Sequence, residues 1–289
     1  MAHPTCTPTP VTPNGRVALV TGANSGIGRV TAVELALQGF HVFLACRTAD
    51  KAGEVLREIS QRSAGTAKAE FLPLDLGDLD SVRQCAQAFN ARDLPLHLLV
   101  NNAGLAGQKG FTRSGFELAF GVCHVGHFLL TRLLLDRLKA AAPSRVVVVA
   151  SRAHRHAKGI DFTAVRQPSR SRGGLMDYSV AKLANILFAA ELGRRLAGTG
   201  VTTYSLHPGV VATGIWRVLP WPVDRMVKLF MIGPEEGAKT TLYCATSDAV
   251  AQQSGLYYVK SAVATTTPAA ADAELAKALW TASEGWTEG

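Results

Sequence analysis

Two side chains four residues apart, Tyr178 and Lys182, offer the most direct chemistry in this sequence. On a helix that spacing places both on one face, so both can point into one cleft. A free tyrosine ionises near pH 10, too high for efficient proton exchange at neutral pH. A neighbouring ammonium favours the tyrosinate and lowers that value. Ser151, expected at the end of a strand, adds a hydroxyl able to orient a carbonyl oxygen. The Tyr-x-x-x-Lys spacing also arises by chance on ordinary helix faces, so its weight depends on its surroundings.

Those surroundings include the run Thr21-Gly22-Ala23-Asn24-Ser25-Gly26-Ile27-Gly28. Gly22, Gly26 and Gly28 let the backbone turn tightly and approach a pyrophosphate with no Cβ in the way. Asn24, Ser25 and Ile27 complete the turn, and a helix starting there aims its free N–H groups and positive end at phosphates. Such a turn between a strand and a helix is the fingerprint of a dinucleotide site. An NAD site places an acidic residue at the end of the second strand, on the ribose 2′-hydroxyl. Here Cys46 and Arg47 stand there, no carboxylate follows until Asp50, and Arg29 comes directly after the turn. Two guanidinium groups without a nearby carboxylate suit a 2′-phosphate, so NADP(H) is the expected cofactor.

The elements that must hold these residues alternate regularly. Short β-branched runs predict strands over 16–21, 42–46, 70–74, 97–100, 145–150, 201–205 and 255–259. Helices are predicted over 26–38, 49–62, from Asp78 as N-cap to about 89, 128–141 and 178–196. Runs such as Val-Ala-Leu-Val are apolar on both faces, as a parallel sheet covered on both sides requires. The fold class is α/β: a single-domain, Rossmann-type doubly wound parallel sheet of about seven strands flanked by helices. Residues 1–14, rich in Pro and Thr, read as a flexible tail, and 15–289 as the dinucleotide-binding catalytic domain.

With Tyr178, Lys182, Ser151 and the glycine turn in place, the sequence resembles the short-chain dehydrogenase/reductase family over about 16–259. Further matches are Asp75-Leu76, Asn101-Asn102-Ala103-Gly104 and Pro208-Gly209. The resemblance implies that Ser151, Tyr178 and Lys182 are catalytic. It implies that Asp75 and Leu76 contact the adenine, and that Asn102, Ala103 and Gly104 line the adenine ribose. Lys182, beside Tyr178, would also hold the nicotinamide ribose, and Pro208, Gly209, Val211 and Thr213 would flank the carboxamide and phosphates. A narrower likeness, to the retinol dehydrogenase-like branch, rests on Leu44-Ala45-Cys46-Arg47, on Gly126-His127-Phe128-Leu129-Leu130-Thr131 and on the stretches 182–188 and 204–209. It implies NADP(H)-dependent interconversion of lipophilic aldehydes or ketones with their alcohols. The resemblance also implies a two-fold pairing of helices 128–141 and 178–196 with a second copy. Where the branch carries an asparagine whose carbonyl holds a relay water, this chain has Cys123, a weak hydrogen-bond partner.

After Pro208-Gly209, an apolar insertion with Trp216 and Trp221 reads as a substrate lid over about 210–235, at the sheet edge where ligands bind. Arg217, Arg225 and Lys228 border it and admit peripheral contact with an anionic membrane. No run spans a bilayer and no secretory leader is expected, which points to the cytoplasm. Five cysteines (Cys6, Cys46, Cys85, Cys123, Cys244), odd in number and scattered, imply no disulfide framework and no metal site. The net charge of +8 is concentrated partly at Arg152, Arg155, Lys158, Arg166, Arg170 and Arg172, without the interleaved aromatics of a nucleic-acid platform. The functions left standing are a reductase of retinaldehyde-like carbonyls, a steroid or xenobiotic carbonyl reductase, and a weakly active NADP(H)-binding sensor.

Overall fold

A computed structural model describes residues 8–169, 171–209 and 232–288. The strands are β1 (Val17–Thr21), β2 (His41–Cys46), β3 (Ala69–Pro73), β4 (Leu98–Asn101), β5 (Ser144–Val149), β6 (Val201–His207), β7 (Leu256–Val259) and β8 (Ala262–Val263). They form one sheet in the order β3-β2-β1-β4-β5-β6-β7-β8. The first seven are parallel, and β8 returns antiparallel to β7. The order in which the chain adds strands reverses between β1 and β4, the switch point at which ligands bind in such sheets.

Alternation along each strand divides the interior. Leu19, Phe43, Val146 and Val148 face one layer, with the helices Leu79–Asn90, Gly126–Leu133, Leu175–Arg195 and Ala273–Thr287. Ala18, Val20, Leu44, Val147 and Val149 face the other, with Gly26–Leu37, Ala49–Arg62 and Pro234–Thr246. Burial on both faces explains why the strands are uniformly apolar. Asp78 caps its helix as expected, its carboxylate accepting the Asp80 N–H.

Several expectations need correction. Among the described residues there are eight strands rather than about seven: Lys260 and Ser261 both adopt positive φ (52° and 59°), the two-residue turn that folds the chain back as β8. A two-residue strand leaves no alternation to read. Residues 8–14 make hydrogen bonds to the domain. Val11 N–H donates to Thr66 Oγ1 (2.6 Å), Asn14 N–H to the Gly39 carbonyl and Asn14 Nδ2 to the Gln38 carbonyl. The helix expected from 128 starts earlier, at Leu118, and passes through a π-helical segment, Gly121–Val125, before Gly126–Leu133.

Part of the surface of helices Gly126–Leu133 and Leu175–Arg195 is packed within the chain. Trp280 of helix Ala273–Thr287 packs on Phe128 (5.0 Å between centroids) and stacks on Phe188 (6.0 Å), with the Arg195 guanidinium over its ring. Arg132 pairs with Glu284 (2.7 Å), and His124 bonds Ser283 (2.9 Å). The sequence expectation ended at the seventh strand, so it left these faces bare.

Candidate active site

The glycine turn sits at the carboxyl end of β1. Gly22 and Gly26 have φ of 65° and 54°, which a side chain rarely tolerates. At Gly28 a Cβ would collide with the Gly22 carbonyl oxygen and with Asn102 Nδ2. Ser25, the N-cap of the following helix, makes no side-chain capping bond, so the first N–H groups are not spent internally. Open amides at a helix start beside a cleft fit a pyrophosphate. Asn24, Ser25, Gly26 and Arg29 line such a cleft, of about 560 Å³, with Glu54, Val55, Glu58 and Gln61 across it. Ile27 is buried against Ala238.

Arg47 is exposed just beyond β2. Arg29 is not free of carboxylates, contrary to the sequence expectation: Glu58, returned by helix Ala49–Arg62, bonds its guanidinium at 2.7 Å. Asp75 folds back on its own turn, its carboxylate accepting the Gly77 N–H, and Leu76 is buried.

At the switch point, Thr21 joins the two strands. Its hydroxyl oxygen accepts the N–H of Asn102 (2.9 Å) and of Ala103 (3.0 Å), and Asn102 Nδ2 donates to the Thr21 carbonyl (2.8 Å). Gly104 follows, with the Lys182 ammonium and the Cys123 sulfur at 3.3 and 3.4 Å from where a Cβ would stand. Gly104 therefore brings Cys123 and Lys182 against one small patch of backbone.

Ser151 lies just past β5 and caps the short helix Arg152–His156, its hydroxyl accepting the Ala153 N–H. Tyr178 occupies the first turn of helix Leu175–Arg195, close enough to Ser151 for that hydroxyl to favour the ionised phenol. Lys182, one turn on, donates to the Val149 carbonyl at 2.7 Å, and Asn185 Nδ2 reaches the same oxygen at 3.3 Å. Its ammonium stands 5.5 Å from the centre of the Tyr178 ring. The three catalytic candidates, 31 residues apart in sequence, thus converge at the end of β5.

The protein neighbours of Tyr178 act on its ionisation in both directions. Burial pushes the phenol above its ordinary range, nearby Cys123 adds to this, and the Ser151 hydroxyl opposes it. Burial also lowers Lys182, against which Cys123 acts. Protein surroundings alone favour the neutral phenol, a proton donor held beside a hydroxyl that can orient an oxygen.

Gly209 has φ 97°, and a Cβ there would collide with Ile232. Pro208 and Gly209 close the described stretch; Val211, Thr213 and most of the proposed lid, with Trp216, Trp221, Arg217, Arg225 and Lys228, lie outside the described residues. Four residues that bear on the site had no assigned role in the sequence: Thr21, Glu58, His127 and Asn185. His127 lay within a stretch already quoted for its family likeness, which was the available signal.

The family model of the short chain dehydrogenases matches residues 16–220. Dehydrogenase/reductase SDR family member 13 of Bos taurus is 46% identical over 275 residues, covering 93% of this chain and 72% of that protein. Retinol dehydrogenase 11 of Mus musculus is 43% identical over 93% of this chain and 85% of its own length. Retinol dehydrogenase 12 of Homo sapiens is 42% identical with the same coverage. Among solved structures, an uncharacterized protein from Mycobacterium paratuberculosis superposes with a TM-score of 0.77 at 34% identity, covering 97% of this chain and 96% of that one. An NAD(P)-dependent gluconate 5-dehydrogenase from Beutenbergia cavernae, with bound NADP, gives 0.69 at 27% identity, over 87% and 97%. The chain belongs to the short-chain dehydrogenase family, in its retinol dehydrogenase-like branch, and is an oxidoreductase.

Proposed function

We propose that this protein is an NADP(H)-dependent reductase of lipophilic carbonyls, retinaldehyde-like aldehydes or ketones, working in a single catalytic domain of residues 15–289. The observation that carries the reading is the convergence of Ser151, Tyr178 and Lys182 at the end of β5, beside a turn built for pyrophosphate. A bound nicotinamide cofactor would supply the hydride and, once oxidised, a positive charge. Ser151 and Tyr178 hold the carbonyl oxygen by hydrogen bonds, and Tyr178 gives it a proton from its phenolic oxygen. Lys182, braced on the Val149 carbonyl, places an ammonium beside the ring and favours the tyrosinate left after transfer.

The preference for NADP(H) over NAD(H) rests on Arg29 and Arg47 and on Cys46 where an acid would hold a 2′-hydroxyl. Glu58 steers Arg29 without cancelling Arg47, which is exposed for the phosphate. Gly22, Asn24, Ser25, Gly26, Ile27 and Gly28 form the phosphate turn. Asp75, Leu76, Asn102, Ala103 and Gly104 serve the adenosine side, with Pro208, Gly209, Val211 and Thr213 on the nicotinamide side. The lipophilic substrate enters under residues 210–235, and co-sedimentation with anionic liposomes tests whether that segment also touches membranes.

Cys123 in the π-helical segment supports a second reading, a weakly active NADP(H)-binding sensor. NADPH oxidation against retinaldehyde, steroid ketones and simple aldehydes separates these functions. Turnover of retinaldehyde supports the proposal, turnover of steroid ketones alone favours the steroid reductase, and binding without turnover favours the sensor.

A further inference from the structure

His127 is wholly buried between the cofactor turn and the π-helical segment, and its two ring nitrogens face different elements. Nδ1 lies 3.0 Å from the carbonyl oxygen of Cys123. A carbonyl only accepts, so Nδ1 carries the proton. Nε2 lies 2.8 Å from the Thr21 hydroxyl. That hydroxyl already accepts two backbone N–H groups, from Asn102 and Ala103, which occupies both of its lone pairs. Its own proton must therefore be donated. His127 Nε2 is the nearer acceptor; the alternative, the Val100 carbonyl, is 3.3 Å away. Every donor and acceptor in this chain of contacts then has one consistent assignment, with a neutral imidazole at its centre.

A second tie runs in parallel. Asn101 Nδ2, at the end of β4, donates to the Thr131 hydroxyl (2.9 Å), which donates to the His127 carbonyl (2.7 Å). The helix Gly126–Leu133 is thus fastened to β1 and β4 through residue 127 by both its side chain and its backbone. One end of the side-chain tie is the loop that lines the dinucleotide turn. The other end is the carbonyl of Cys123, whose sulfur stands with the Lys182 ammonium against Gly104. A π-helical turn displaces backbone carbonyls from the regular ladder, and such turns concentrate at functional sites.

We propose that His127 is a positioning residue that couples the cofactor turn to the Lys182 side of the site. It fixes the direction of the Cys123 carbonyl, in the residue whose sulfur stands with Lys182 against Gly104, and, through Thr21, the backbone amides of Asn102 and Ala103. Its two contacts act on different steps: the Thr21 contact shapes the cofactor loop, and the Cys123 contact shapes the surroundings of Lys182. The proposal rests on the reading of the site as an NADP(H)-dependent reductase.

The test separates the two contacts with two amides. In His127→Asn the side-chain nitrogen falls near the Nδ1 position and keeps the bond to the Cys123 carbonyl. In His127→Gln the amide reaches the Nε2 position and keeps the bond to Thr21. NADPH Kd is measured by fluorescence without substrate, and kcat and KM with retinaldehyde. His127→Gln is expected to hold NADPH Kd near the wild-type value while kcat falls about tenfold. His127→Asn is expected to raise NADPH Kd about fivefold while recovering most of kcat. Parallel losses in both variants, or no loss in either, would overturn the proposal. If either variant fails to fold, Thr21→Val must raise NADPH Kd more than Thr21→Ser does, and equal Kd values overturn it. A wild type that binds NADPH but reduces no carbonyl defeats the reductase reading alone, because the Kd comparison still decides the role of His127.

Discussion

Tyr178 and Lys182 lose their charged forms to burial in opposite directions, the phenol moving up and the ammonium down. On the proposed mechanism the site relies on cationic neighbours to make tyrosinate accessible, while its protein surroundings favour the neutral phenol. These residues were legible in the sequence because their spacing is local and their types are chemically specific. Glu58 and His127 were not, because their partners are distant in sequence: Arg29 lies 29 positions from Glu58, and Thr21 lies 106 from His127. Arg47 carries a prediction at this scale. Arg47→Asp should lower the NADPH-over-NADH ratio of kcat/KM by at least about tenfold, by placing like charge at the 2′-phosphate. An unchanged ratio would remove Arg47 from the cofactor site. His124 and His127 carry another. Burial lowers both to about 3, so each stays neutral in the folded chain while the unfolded chain binds a proton near 6.5. The contribution is full above 6.5 and is lost as pH falls from there toward 3. Thermal melts should show Tm falling from pH 7 to 5, and His124→Phe should flatten that fall.

Among the elements, the strands were readable because residues buried on both faces leave continuous apolar runs, as in β1 and β5. The π-helical segment was invisible for a related reason. Its residues Gly121, Cys123, His124 and Val125 are buried on every side, so apolar periodicity does not break where the backbone ladder does. The helix Ala273–Thr287 was overlooked, although Asp272 caps it by accepting the N–H of Glu274 and of Leu275. It holds helix Leu175–Arg195 from outside through Trp280, which is packed on Phe128 and Phe188. Trp280→Ala should cost about 3 kcal/mol of stability in urea denaturation, as large-to-small changes in a packed aromatic core do. A loss under about 1 kcal/mol would show that this helix is not integral to the core.

Across the whole molecule, two layers of helices enclose one sheet, and the switch point between β1 and β4 sits under the cofactor turn and the helix of His127. Family likeness suggested a two-fold partner on the catalytic helix. In this chain 13 residues of that helix are buried already, from Tyr178 to Leu192. Light scattering in solution should therefore give the mass of one chain, 30.6 kDa. A stable dimer lost on Leu133→Glu, which alters an exposed residue of helix Gly126–Leu133, would contradict the covering role of Ala273–Thr287.

On the proposed mechanism Tyr178 delivers the proton in an NADPH-dependent carbonyl reduction. The most direct measurement is the rate of NADPH oxidation with retinaldehyde by the wild type and by Tyr178→Phe, with NADPH Kd recorded for both. The wild type should turn over, kcat should fall by at least about a hundredfold in Tyr178→Phe, and NADPH binding should be retained. Turnover by Tyr178→Phe at the wild-type rate would contradict that mechanism.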